Sequence, residues 1–83
     1  MIVMTELAPG IVIDPTVRFG KPIIAGTRIT VQEVLGALAG GMTTEELKKE
    51  YGLTGENVQA VLRYVALFLS DEAIDVQSLQ EFA

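Results

Sequence analysis

The sequence predicts a mainly α-helical protein: a three-helix, helix-turn-helix (homeodomain-like) core, preceded by a short two-stranded β-hairpin and followed by an acidic C-terminal tail or short helix. One six-residue pattern typical of a helix start occurs three times, as ITVQEV, MTTEEL and LTGENV. Apolar residues then recur at helical spacing, most regularly after the third pattern. At 83 residues the chain fits one domain. We place that domain at residues 1–70 and the tail at residues 71–83.

Two β-favouring segments precede the helices. Residues 10–15 contain three consecutive β-branched residues, and residues 27–29 contain two. The loop between them holds Gly20, Pro22 and Gly26, which interrupt regular structure. We therefore expect an antiparallel strand pair built from these two segments.

Each of the three helices is expected to begin at a threonine. Thr30, Thr43 and Thr54 are each followed three residues later by a side chain that can bond back to the cap, namely Glu33, Glu46 and Asn57. The first helix ends at residues 40–41, and the second runs from about residue 44 to 51 before Gly52. The third is the longest and is expected to bury Val58, Val61, Leu62, Val65 and Leu69.

The composition removes most catalytic and metal chemistry. The chain has no Cys, His or Trp, so zinc sites, disulfides and Cys–His or Ser–His catalysis are excluded. We expect no cofactor and no enzymatic activity. Residues 1–10 lack a secretory signal and the uncharged run at residues 34–44 is too short for a membrane span, so we expect a cytoplasmic protein.

Charge is unevenly distributed along the chain. Six basic and eleven acidic residues give a net charge of −5, of which −4 lies in residues 71–83. Residues 15–30 contain only basic charged residues: Arg18, Lys21 and Arg28. An overall negative charge argues against nonspecific adhesion to nucleic acid. A local basic segment beside an acidic tail is compatible with two different partners.

The second and third predicted helices meet at a tight turn, as in DNA-binding helix-turn-helix domains. The outward side of the third helix is then expected to carry Glu56, Asn57, Gln59, Ala60 and Arg63. The predicted DNA contacts are Arg18, Lys21, Arg28, Lys48, Lys49, Asn57, Gln59 and Arg63. The alternative is a capped helical hairpin that never meets DNA, in which the two lysines pair with Glu45 and Glu46 and the asparagine serves the cap.

Apolar residues outside the main stripe of the third helix indicate an interface. Tyr64, Leu67 and Phe68 fall off that stripe, which favours a homodimer or a tail that folds back over them. The tail itself has a weak amphipathic pattern with Leu79 and Phe82 as apolar anchors.

The run FGKPIIAGTRI at residues 19–29, preceded by IDP at 13–15 and followed by GMT at 41–43, resembles the domain-of-unknown-function family 433. The resemblance covers roughly residues 9–66. This chain has Ala25 where the family often has a basic residue, and Gly52 where proline is frequent.

The resemblance implies a small helix-turn-helix protein of the VapB-like antitoxin kind, partnered with a toxin similar to PIN-domain ribonucleases. It implies that the tail, through Leu79 and Phe82, covers the toxin. The hypothesis from the sequence is therefore a homodimeric, DNA-binding antitoxin or transcriptional autoregulator of a toxin–antitoxin pair. The alternative is a protein–protein interaction module that does not bind DNA.

Overall fold

Three helices follow one another from residue 31 onward. The computed structural model describes residues 4–71, with α1 at Val31–Ala39, α2 at Thr44–Tyr51 and α3 at Gly55–Asp71. Each pair of helices is in contact. Residues 52–54 separate α2 from α3, and Gly52 adopts the left-handed conformation (φ +68°) predicted for it.

All three predicted helix starts are confirmed. The hydroxyl of Thr30 accepts a hydrogen bond from the Glu33 amide at 3.0 Å, and the Glu33 carboxylate accepts one from the Thr30 amide at 3.2 Å. The same reciprocal pair forms at Thr43 with Glu46 and at Thr54 with Asn57. These bonds satisfy amides that the first helical turn leaves without intrahelical partners.

The N-terminal region forms a three-stranded antiparallel sheet in the order β1-β2-β3. Its strands are Thr5–Ala8, Ile11–Ile13 and Ile23–Ile24. The prediction of a β-hairpin before the helices is confirmed, and its predicted first strand, at residues 10–15, contains β2. The sheet has three strands, one more than predicted.

The predicted strand at residues 27–29 is wrong. These residues form a turn, because the Thr27 hydroxyl donates to the Ile24 carbonyl at 2.8 Å and accepts from the Ile29 amide at 3.0 Å. The Ile24 amide bonds to the Ile29 carbonyl, which closes the turn. β2 therefore pairs with residues 23–24 in place of 27–29.

The core lies between the sheet and the three helices. Its fully buried side chains come from every layer: Ile11, Ile24, Val34, Leu47 and Val61. The turn between β1 and β2 approaches α3 so closely that a Cβ added to Gly10 would lie 3.1 Å from the Cβ of Ala60.

This close packing changes which side of α3 is buried. Ala60, predicted to face outward, is only 5% exposed because the sheet covers it. Tyr64, predicted to lie outside the buried stripe, packs partly buried against the core. Leu62 and Leu69, predicted to be buried, are 42% and 55% exposed. The buried side of α3 is the side that faces the sheet and α1. The core does not extend to the last turns of this helix.

Candidate functional site

The outward side of α3 near its start carries polar side chains. Glu56, Gln59 and Arg63 are exposed and lie three and four residues apart, so they share one face of the helix. Lys49 is exposed on α2. Glutamine and arginine are the side chains that pair best with adenine and guanine edges in the major groove. This face therefore has the chemistry for base recognition.

Three of the predicted DNA contacts have partners inside the protein: Lys48, Asn57 and Arg18. Lys48 Nζ lies 3.2 Å from Glu45 Oε1, one helical turn earlier. The Oδ1 atom of Asn57 accepts the Thr54 amide at 2.9 Å. Asparagine uses its amide oxygen as well as its nitrogen to pair with adenine, so the cap engages half of that capacity.

Arg18 forms hydrogen bonds that connect its loop to two other parts of the chain. Its Nη1 atom donates to Glu33 Oε1 and, at 3.1 Å, to the backbone carbonyl of Arg28. Burial raises the pKa of the Glu33 carboxyl, but hydrogen bonds from Thr30 and Arg18, with the charge of Arg18, outweigh it and leave that pKa lowered. Arg18 thus ties its loop to the start of α1, while Lys21 and Arg28 stay exposed.

The loop before β3 contains a left-handed turn. Arg18, Phe19 and Gly20 have φ values of +50°, +60° and +75°. The Gly20 amide bonds to the Val17 carbonyl at 3.1 Å, and the Lys21 amide bonds to the Arg18 carbonyl at 3.2 Å. A left-handed backbone costs a residue with a side chain roughly 1–2 kcal/mol.

Phe19, at the centre of this turn, is 98% exposed. The sequence analysis assigned it no role. The only signal for it is an aromatic residue inside a Gly- and Pro-containing loop, where neither a helix nor a strand needs it.

The last turns of α3 present apolar side chains to solvent. Leu67, Phe68 and Leu69 are each more than half exposed, which confirms the predicted exposure of the first two. The rings of Tyr64 and Phe68 meet edge to face with centroids 5.6 Å apart. Both predicted partner-binding residues, Leu79 and Phe82, lie outside residues 4–71.

Residues of α3 help to line two open cavities in the described part of the chain. One, of about 320 Å³, lies between the β1–β2 turn and α3 and is lined by Ala8, Pro9, Arg63, Ala66 and Leu67. This cavity brings Arg63, from the polar face of α3, next to Leu67, from the apolar end of the same helix. The other, of about 270 Å³, is lined mainly by apolar surface of Pro22, Val31, Leu35 and Tyr64, together with Lys21, Thr30 and Gln32.

Over residues 4–71, no three carboxylates lie close enough together to hold a metal ion. No helix within the same residues is long and apolar enough to cross a membrane.

Comparison with known proteins relates the chain to one family. Residues 11–65, from β2 into α3, match the family described as "Protein of unknown function (DUF433)". The chain is also 32% identical over 56 residues to "Putative antitoxin VapB45" of Mycobacterium tuberculosis, an alignment that covers 68% of this chain. It spans about a quarter, 23%, of the length of that relative. No solved structure matches the chain. Since the family match covers most of the sheet, the left-handed turn and all three helix starts, this protein belongs to the DUF433 family.

Proposed function

We propose that this protein is an antitoxin that binds a protein toxin through the end of α3 and the residues that follow it, and that binds DNA through α2 and the start of α3. The similarity to an antitoxin of Mycobacterium tuberculosis supports the general class. The observation that carries the proposal is the apolar stripe of α3, which continues beyond the core with nothing packed over it among the described residues.

This stripe can be followed along one side of the helix. Val58 and Val61 are buried, Val65 is partly buried and Leu69, one turn later, is 55% exposed. An amphipathic helix with an uncovered apolar side binds by laying that side into a groove on its partner. Residues 71–83 carry a charge of −4. An acidic segment beside an apolar anchor fits a toxin that acts on RNA, because RNA-binding surfaces are basic.

The toxin interaction is tested by co-purification of the full-length chain with the product of the neighbouring gene. Leu69→Glu is expected to weaken the complex by at least about tenfold, since it places a charge in the apolar contact. Leu67→Glu is the matched control, because Leu67 is an equally exposed leucine of the same helix and, two residues before Leu69, lies on the opposite side from that stripe. Equal binding by both variants, or binding unaffected by deletion of residues 71–83, contradicts this use of α3.

DNA binding is proposed for Gln59, Arg63 and Lys49, which are exposed on α3 and α2. Gln59→Ala is expected to relax the preference at one base pair, whereas Lys49→Ala weakens binding to all sequences and lowers the salt slope by about one. The probe is the DNA upstream of the protein's own gene, titrated at several salt concentrations. Glu50→Gln, an exposed change on the same helix as Lys49, is the control. Absence of a salt-sensitive shift, or equal shifts for Gln59→Ala and wild type, contradicts the DNA role.

A protein-interaction module without DNA binding is the second candidate. It is favoured by Arg18, Lys48 and Asn57, three predicted DNA contacts that bond to groups within the chain. Toxin capture without any DNA shift distinguishes this candidate from the first.

A further inference from the structure

The exposed ring of Phe19 is not explained by the fold of a single chain. Phe19 is 98% exposed, so its ring adds nothing to the core, and its backbone lies at φ +60°, where a side chain is disfavoured. A glycine at this position would avoid the backbone strain, and a polar side chain would interact more favourably with water. Strained residues persist where the surrounding structure holds them, and they concentrate at binding sites.

The turn that carries Phe19 is held by several contacts. Arg18 bonds to the Glu33 carboxylate and to the Arg28 carbonyl, and the Val17 amide bonds to the Asp14 carbonyl at 2.9 Å. The ring is therefore presented from a fixed backbone. A rigid aromatic anchor loses little conformational entropy when it binds, which is why such residues dominate interface energies.

A groove of matching chemistry lies beside this anchor. The 270 Å³ cavity is lined mainly by apolar side chains, and it begins at Lys21 and Pro22, two and three residues after Phe19. It is smaller than small-molecule pockets, which are usually about 300–1,000 Å³. Its size suits a single inserted side chain.

We propose that this surface binds a second copy of the same chain, with Phe19 of each copy inserted into the groove of the other. A patch that holds both an anchor and a groove is self-complementary, and two-fold pairing fills both grooves at once. Within the groove, Tyr64 offers an aromatic edge or face and Lys21 a cation for the incoming ring.

Nucleic acid fits this surface less well. The groove is apolar, and the charge of Arg18 is already paired with Glu33. Self-association also uses neither Gln59 nor Leu69, so it does not depend on the function proposed above. An 83-residue chain gains from such pairing, because small domains bury a limited share of their surface alone.

Sedimentation equilibrium of the full-length protein tests this proposal. We expect a concentration-dependent dimer that Phe19→Ala weakens by at least about tenfold, as for a central aromatic anchor. Leu67→Ala removes another exposed apolar side chain that does not line the groove, and it is expected to leave the dimer unchanged. Far-UV circular dichroism and thermal melting of the dilute monomer are expected to show that Phe19→Ala is folded and no less stable than wild type.

A photocrosslink locates the contact. Replacing Phe19 with p-benzoylphenylalanine is expected to yield crosslinks to Pro22, Val31 or Leu35 of a second chain, identified by mass spectrometry of mixed light and heavy-isotope protein. A wild-type monomer at all concentrations, equal effects of Phe19→Ala and Leu67→Ala, or crosslinks confined to one chain would overturn the proposal. So would a Phe19→Ala protein that still dimerises but loses DNA or toxin binding.

Discussion

Replacing Gly10 with alanine tests how closely the sheet packs against α3. Gly10 has φ +85°, and an added Cβ would lie 3.1 Å from the Cβ of Ala60. Gly26 is a matched control, since it has φ +80° but no atom within 4 Å of an added Cβ. Gly26→Ala carries only the backbone cost of about 1–2 kcal/mol, partly offset by a gain of about 0.4–1 kcal/mol from a less flexible unfolded chain.

Gly10→Ala carries the same backbone cost and an overpacking cost of about 1–3 kcal/mol, because both neighbours are fixed in a turn and a helix. We therefore expect Gly26→Ala to lower the free energy of unfolding by about 1 kcal/mol and Gly10→Ala by about 2–4 kcal/mol. In a domain of this size each kcal/mol lowers the melting temperature by roughly 4–8 °C.

Urea unfolding followed by circular dichroism measures both losses. The double variant Gly10→Ala/Ala60→Gly completes the test, because removing the Ala60 Cβ relieves the contact although glycine itself costs the helix about 1 kcal/mol. We expect the double variant to be more stable than the sum of the single losses. If Gly10→Ala costs no more than Gly26→Ala, or if the two changes are additive, the turn does not rest on α3 as described.

Three further outcomes follow from single side chains. Thr30→Ala is expected to cost about 2 kcal/mol of unfolding free energy and Thr43→Ala about 1 kcal/mol, because Thr30 is 2% exposed and its hydroxyl also donates to Glu33. Because the pKa of Glu33 is lowered in the folded protein, its ionised carboxylate stabilises the fold, and this contribution is complete above its ordinary pKa. The contribution declines as the pH falls below about 5. Denaturation from pH 7 to 3 should thus show a shallower acid decline in Glu33→Gln. Leu47→Ala, in the core, should cost about 2–5 kcal/mol and exposed Leu67→Ala less than about 0.5 kcal/mol, as measured by urea unfolding.

The helices could be predicted because the residues that begin and end each helix act through contacts with close neighbours in the sequence. Thr43 and Glu46 lie three residues apart and complete each other's hydrogen bonds without help from the rest of the chain. Gly52 ends the same helix through its own backbone conformation. The HTH relationship of α2 and α3 depends on their docking geometry, so it stays a prediction.

The sheet was harder to predict because its strands are short and because residues 14–22 separate β2 from β3. β1 has the sequence TELA, with one β-branched residue and no clear alternation of apolar and polar side chains. β3 is two residues long and is followed by a turn that the Thr27 side chain closes. Residues 27–29 have β-favouring composition, but tertiary packing places the strand four residues earlier.

The candidate surfaces were only partly visible in the sequence. Composition and helical spacing indicate the exposed positions of Gln59 and Arg63. Nothing local shows that Arg18 reaches Glu33, fifteen residues away, or that Phe19 adopts a left-handed backbone, since glycine and asparagine are the usual signals for that conformation. The prediction that Ala60 faces outward was wrong because contact with the sheet, which is distant in sequence, determines which side of α3 is buried.

The contact between Gly10 and Ala60 also bears on the order in which the chain folds. Each helix start closes within four residues, whereas this contact joins positions about fifty residues apart and requires a long loop to close. Local structure of this kind forms on a much shorter timescale than a distant pairing. We therefore expect the three capped helices to form first and the sheet to dock onto α3 afterwards. Stopped-flow measurements on Gly10→Ala should then show faster unfolding with little change in the folding rate.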